Sequence, residues 1–287
     1  MSVQITTAMV KAYHDNVQIL SQQKGSRLRG AVRFENQVGL HGFYDQISST
    51  SAVKRTTRHA DTPQLDTPHA RRRVTLVPYD WADLIDNFDK PTLLTDPTSK
   101  YAINAGYAMG RAMDEAIIAA FSGTAYTGVE GGTSTSFTSA NQIAHGSTGL
   151  TLAKLLSAKE LLDAADVDEE IPRFCGVSAQ ALIDLLNVTE VKSTDYNSVK
   201  ALVQGDIDTF LGFKFIRSQL FALSSDDRTC LAWAQDGVLL AVGADIVTDV
   251  GVRRDKNMAT QVYVGMEIGA TRMEEAKCVE IGVWEGT

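Results

Sequence analysis

Hydrophobic and polar positions along this 287-residue chain fall into clearly different patterns. Over residues 3–23 the apolar positions are sparse (Ile5, Met9, Val17, Leu20) and predict at most a weakly amphipathic helix. Residues 25–44 are interrupted by Gly25, Gly30, Gly39 and Gly42, and nothing there buries a face unaided. Residues 48–73 are rich in Ser, Thr, Arg and His, with almost no large apolar side chain. In that stretch Asp61-Thr62-Pro63 recurs as Asp66-Thr67-Pro68, and each proline biases its predecessor towards extended or turn backbone. The flanks, 52–58 and 71–77, carry β-branched residues in partial alternation. Val74 and Leu76 share one side, and Arg73, Thr75 and Val77 the other. This predicts a long two-stranded ribbon with a polar tip. Such a ribbon is marginal in water by itself and needs a partner surface, which nothing nearby in the chain supplies.

The strongest periodic signal follows. Asp96-Pro97 reads as a helix start, with Asp96 as N-cap and Pro97 at the first helical position. Residues 101–121 then run without proline to the stop Ser122-Gly123. Tyr101, Ala105, Ala108, Ala112, Ala116 and Ala119 form a small-residue stripe suited to close packing, with bulk elsewhere from Ile103, Tyr107, Ile117, Ile118 and Phe121. The helix would be about 36 Å long. Residues 123–149 read as a Gly/Ser/Thr-rich loop with one short strand. An amphipathic helix over 152–165 is capped by Thr151, and a further helix with Leu182, Leu185 and Leu186 inside is capped by Ser178. Strands are predicted at 171–177, 210–216 and 230–234. Short β runs follow at 238–242, 246–252, 261–268 and 278–283, the last two in clean alternation. The class is α+β, and residues 152–243 have the character of an inserted lobe.

Composition changes this picture little and charge changes it more. The apolar fraction of 44% is enough for a core that folds without staples. Cys175, Cys230 and Cys278 are few, odd in number and widely spaced, so they read as buried small hydrophobes. No apolar run is long enough to cross a bilayer, and residues 1–20 lack a signal-peptide pattern, so a cytoplasmic origin and no membrane partner are expected. The net charge is −8, yet residues 24–73 hold ten Lys/Arg against four Asp/Glu, a balance of +6 that leaves −14 elsewhere. A basic arm on an acidic body can lie on nucleic acid or on a neighbouring copy. The sequence has no G-x-S-x-G, G-x-G-x-x-G or H-E-x-x-H, and Gly128–Gly132 lacks the Lys-Ser/Thr of a phosphate loop. His59, Asp61, Asp66 and His69 have ligand chemistry but sit in a polar, proline-broken loop; Asp166, Asp168, Glu169 and Glu170 lack the glycine and closing glutamate of a calcium loop. No catalytic residue, cofactor or metal is expected. Arg71-Arg72-Arg73 suits phosphates, solubility or an acidic neighbour, and contact between subunits is the expectation, with Arg72 facing opposite to the other two.

Several stretches, in this order, carry a resemblance. They are Ser26-Arg27-Leu28-Arg29, His59-Ala60-Asp61-Thr62-Pro63, His69-Ala70-Arg71-Arg72-Arg73, residues 80–89, Asp96-Pro97, Gly110-Arg111-Ala112-Met113-Asp114, Leu211-Gly212-Phe213-Lys214-Phe215 and Gly269-Ala270-Thr271-Arg272. Over nearly its whole length the chain resembles the major capsid proteins of tailed bacteriophages with the Hong Kong 97-type fold. The resemblance implies an N-terminal arm over 1–45 and an extended loop over 46–80 that lies on a neighbour. It implies a peripheral domain from 81–150 and 244–287 with its spine helix at 98–122, and an axial domain over 151–243. It also implies hexamers and pentamers closing an icosahedral shell around double-stranded DNA held without sequence specificity, with a portal protein and a separate scaffolding protein as partners. The location implied is the virion, after assembly in the host cytoplasm. Expected intersubunit residues are Arg27, Arg29, Lys54, Arg55, Arg58, Arg71, Arg72 and Arg73. An encapsulin-like cargo compartment of the same fold is the alternative, and an unrecognised enzyme a distant third.

Overall fold

A computed structural model describes residues 21–59, 61–85, 98–187 and 209–286. The expectations placed on residues 3–20 and on Asp96-Pro97 lie outside the described residues. Strands β1 (Arg33–Asn36), β2 (His41–Ile47), β3 (His69–Thr75) and β4 (Val77–Ile85) precede helix α1 (Thr98–Ser122). Then come β5 (Ala125–Thr127), β6 (Thr133–Thr135), β7 (Gln142–Ile143), α2 (Leu152–Ala164), β8 (Arg173–Val177) and α3 (Ala179–Asn187). The chain closes with β9 (Thr209–Phe210), β10 (Phe213–Arg217), β11 (Leu223–Ser224), β12 (Asp227–Ala234), β13 (Val238–Arg253), β14 (Ala259–Arg272) and β15 (Cys278–Trp284). Two compact units result. One holds the described parts of 1–26, 78–113 and 244–267, and the other those of 27–77, 114–243 and 268–287.

The larger unit is built on a mixed sheet ordered β7-β15-β12-β8-β10-β9, with β11 beside β12. Every residue of β8 is buried, as a central strand requires. Val279, Ile281 and Val283 alternate into the core beside Leu155, Leu162 and Leu185 of the two helices. Thr151 accepts from the Lys154 backbone N–H at 3.4 Å and Ser178 from that of Ala181 at 3.1 Å, so both predicted caps form. The three cysteines are free and buried, and burial pushes the thiol of Cys230 up to about 12, which makes it an inert hydrophobe. A second sheet in this unit, β2-β3-β5-β6, carries the ribbon.

Four local expectations change. Residues 123–149 hold three short strands, β5, β6 and β7, where one was expected, because β5 and β6 pair with each other and β7 pairs with β15. The ribbon forms, but its first strand is β2, paired with β3 from His41↔Thr75 to Ile47↔His69; residues 52–58 belong to the tip instead. The runs at 238–242 and 246–252 are one strand, β13, whose first five residues are buried and whose remaining eleven are exposed. The apparent break is where the strand leaves the core of the larger unit. On α1 the buried row is Ala105, Met109, Met113, Ile117 and Phe121, while Ala108, Ala112 and Ala116 are only half-buried. Spacing of four along a helix keeps residues on one face, and the bulkier apolar row at that spacing covers more area than the alanine stripe, so it wins the core.

Candidate assembly interface

Two devices set where the front of the chain runs. In the smaller unit the extended segment of residues 22–26 crosses α1 at Gly110. A Cβ there would fall on the backbone of Gly25 and Ser26, so only glycine allows the approach. Arg111 beside it donates to the Gln22 side chain at 2.8 Å and to the Gln23 carbonyl at 3.4 Å, and Gln22 in turn donates to Asn104 at 2.8 Å. In the larger unit the fully buried carboxylate of Asp114 accepts the backbone N–H groups of Arg27 and Leu28, at 3.0 and 3.1 Å. Leu28, Ala31 and Val32 are buried, and Trp233 donates its indole N–H to the Ala31 carbonyl at 2.8 Å. Residues 22–32 thus gain their order from their own chain.

The ribbon is likewise tied at its root. Arg72 is 8% exposed; its Nε donates to the Met273 carbonyl and its Nη2 to Glu275, at 2.8 and 2.7 Å. Gln46 reaches the same carbonyl at 2.8 Å. Glu275 also pairs with Arg272 at 3.2 Å. Arg272 is fully buried and donates to the carbonyls of Phe121, Gly123 and Thr135, with its guanidinium 4.9 Å from the Phe137 ring. It thus places a cation at the C-terminus of α1, where the last carbonyls lack partners within the helix and the dipole favours positive charge.

The flanking arginines stay half-exposed on the opposite face of β3, as strand alternation predicts. Arg71 pairs with Asp45 directly across the ribbon at 2.5 Å and donates to the Val129 carbonyl. That pairing holds the Asp45 carboxyl below its usual range. Arg73 lies 4.8 Å over the ring of its cross-strand neighbour Tyr126. The turn at Gly128–Gly131 folds over it, and Gly131, at φ +63°, leaves the room that the Arg73 side chain fills.

Beyond the root the picture reverses. All described residues of 48–68 are exposed, and no strand forms there. Lys54 and Arg58 project from this tip, and Arg55 bonds only locally, to the Thr57 carbonyl at 3.0 Å. Arg27 donates to the Arg217 carbonyl, and Arg29 lies 5.0 Å from the Phe34 ring. The eight expected residues therefore divide. Arg72 is engaged within its own chain; Arg27, Arg29, Arg71 and Arg73 have partners there yet keep exposed surface; Lys54, Arg55 and Arg58 are left to solvent. Asp114 and Arg272 fall in stretches that carry the resemblance, with no role assigned to them there, and Glu275 falls in none. The alternation Val262, Val264, Met266, Ile268 extends in step to Arg272, so an inward arginine was legible; nothing in the sequence marks its acceptors.

Among the described residues no group of His, Cys, Asp and Glu is placed to hold a metal ion, and no helix is long and apolar enough to cross a membrane. Residues 5–285 match the model of the family described as phage capsid protein. No curated protein matches the chain. Solved structures that it resembles include the capsid of cyanophage P-SCSP1u, with TM-score 0.74 and 16% identity over 96% of this chain and 93% of that one. The capsid of Ralstonia phage GP4 gives TM-score 0.77 at 10% identity, over 96% and 95%. The head structure of Helicobacter pylori bacteriophage KHP40 gives 0.77 at 9%, over 99% and 98%. At such identities the likeness is one of fold, the Hong Kong 97-type capsid fold.

Proposed function

The chain belongs to the phage capsid protein family, and from that premise we propose how this subunit joins its shell. It is a structural subunit of a virion, not an enzyme. In the reading we favour, residues 1–45 act as the arm and 46–80 as the extended loop. Residues 81–150 and 244–287 are the peripheral domain on the spine α1, and 151–243 the axial domain. Copies close hexamers and pentamers into an icosahedral shell, built in the host cytoplasm with a scaffolding protein and a portal. The shell encloses double-stranded DNA without sequence preference, which suits a chain of net charge −8 that contains DNA without gripping it.

One observation carries the reading: a ribbon fastened at its root by Arg72, Gln46 and Glu275 and bare at its basic tip. A segment of that length with no core of its own gains nothing from projecting into solvent; laid on a neighbour, it links two subunits. Many weak links of this kind sum to a strong lattice. The contact with neighbours thus falls first to Lys54, Arg55 and Arg58, with Arg71 and Arg73 flanking it and Arg27 and Arg29 on the arm. Replacing Lys54, Arg55 and Arg58 by Glu in the full chain, expressed with its scaffolding protein, should leave a folded subunit and abolish particles in negative-stain micrographs. Particles of normal number and size from that variant would overturn the assignment.

A further inference from the structure

We infer that the carbonyl oxygens of His145, Thr148, Gly149 and Gly282 form a site for a monovalent cation, which the chain fills with its own Lys154 ammonium. When that side chain is withdrawn, the site takes a free cation of the same class: potassium, ammonium or a primary alkylammonium. The inference concerns the single subunit and goes beyond the shell reading.

Lys154 stands in the first turn of α2, where the helix dipole disfavours positive charge. It is buried all the same. Among the described residues every partner of its Nζ is a backbone carbonyl: His145 and Thr148 at 2.8 Å, Gly149 at 2.9 Å and Gly282 at 3.0 Å. An ammonium has three N–H donors, so four oxygens around it are more than hydrogen bonding requires. They surround the nitrogen as a ligand shell surrounds an ion, and backbone carbonyls are also what replaces the hydration shell of potassium in selective pores. Burial pushes the Lys154 pKa down, and the carboxylates of Asp227 and Asp184 pull against it. One oxygen of Asp227 is buried with no hydrogen-bond partner, so its charge is not spent on a neighbour.

The oxygens are held by more than the lysine. Gly146 and Ser147 are both left-handed, at φ +54° and +52°, so the chain curls back within residues 145–149. The Thr148 carbonyl accepts the Trp284 backbone N–H at 2.9 Å, and that of His145 accepts the Thr148 N–H and hydroxyl at 3.0 and 3.1 Å. The His145 ring accepts the Ser147 N–H at 3.0 Å and stacks on Trp284, 5.6 Å between centroids. Gly282 lets the loop come up to β15, since a Cβ there would lie 2.7 Å from the His145 nitrogen. None of these ties passes through Lys154, so the four oxygens keep their places when its side chain is removed.

The test is cation rescue in the full chain. Lys154→Ala removes Cγ, Cδ, Cε and Nζ, which are the heavy atoms of n-propylammonium. Denaturation midpoints of the unassembled subunit are compared in potassium, ammonium, n-propylammonium and tetramethylammonium chloride at equal ionic strength. Each is read against the native chain in the same salt, which cancels general salt effects. Tetramethylammonium has no N–H and is too broad for the shell, so the shortfall of Lys154→Ala should be largest there. At least one of the other three cations should restore at least half of it, and the midpoint should climb with the logarithm of that cation's concentration, as a ligand of the folded state requires. Lys154→Gln, whose amide still fills the shell, should show no such preference. Should Lys154→Ala not fold in tetramethylammonium chloride, the yield of native circular dichroism on refolding in each salt reads the same site. A shortfall equal in all the salts, a refolding yield equal in all of them (nil included), or the same preference in Lys154→Gln would overturn the inference.

Discussion

Three consecutive arginines end in three environments. Arg71 crosses the ribbon to Asp45, Arg73 lies on Tyr126, and Arg72 goes inward to Met273 and Glu275. Removing one partner from a buried ion pair costs about 3–5 kcal/mol, because the other charge is left without compensation. Arg72→Glu would set a second carboxylate against Glu275. The unassembled subunit should lose at least about 3 kcal/mol in chemical denaturation, whereas Arg58→Glu should stay within about 0.5 kcal/mol of the native chain. Equal stabilities would refute the internal role of Arg72. Asp114 makes a similar claim. Its replacement by Ala strands two backbone N–H groups in the interior and should cost about 2–4 kcal/mol. Asp114→Asn keeps one acceptor and should recover part of that loss. Alternation showed that Arg72 points away from its neighbours; it could not show that a carboxylate 203 residues later waits on that side.

At the scale of elements, α1 serves as a rail for residues 22–26 as well as a strut. Gly110 permits the crossing, Arg111 holds Gln22 and Gln23, and the row from Ala105 to Phe121 buries the face between turns. Gly110→Val should leave α1 helical, since one β-branched residue costs under about 1 kcal/mol of propensity, but it should expel the crossing segment. Amide hydrogen exchange at residues 22–28 should then speed up at least ten-fold with α1 itself unchanged; unchanged protection at those residues would show that the crossing is not tight. The extent of α1 was legible because period, length and glycine stop agreed. Its buried row was misjudged because two rows of the right spacing compete, and only the neighbours decide between them. The ribbon was legible as a ribbon, but its register was not. The root is fixed by Tyr44 opposite Arg72 and Phe43 opposite Arg73, and by the β5 edge beyond.

For the whole molecule, the division of labour is between a fastened body and a free tip. Acid should loosen the body at the end of β15. Burial would raise the carboxyl of Glu285, but hydrogen bonds from Arg228, at 3.0 Å, and from Ser178 outweigh it and hold it below its usual value. A carboxyl depressed on folding contributes stability that is complete above its unfolded value, near 4.5, and is lost as pH falls through the folded value. Denaturation midpoints of the subunit should therefore decline below about pH 4.5, and Glu285→Gln should flatten that decline. An identical slope in the variant would remove Glu285 from the account.

The sequence alone determined the α+β class, the long helix ending at Ser122, both caps, the alternating terminal strands and the basic front on an acidic body. Each depends on spacing within a few turns or residues, and spacing is a property of the chain. The tertiary structure decided which arginine is buried, that Asp114 catches the backbone 86 residues back, that two β runs are one strand, and that residues 27–32 are held by their own chain. Those outcomes depend on which distant groups meet. Local periodicity carries a face and a direction, whereas the partner on the other side is set only when the whole chain has closed around it.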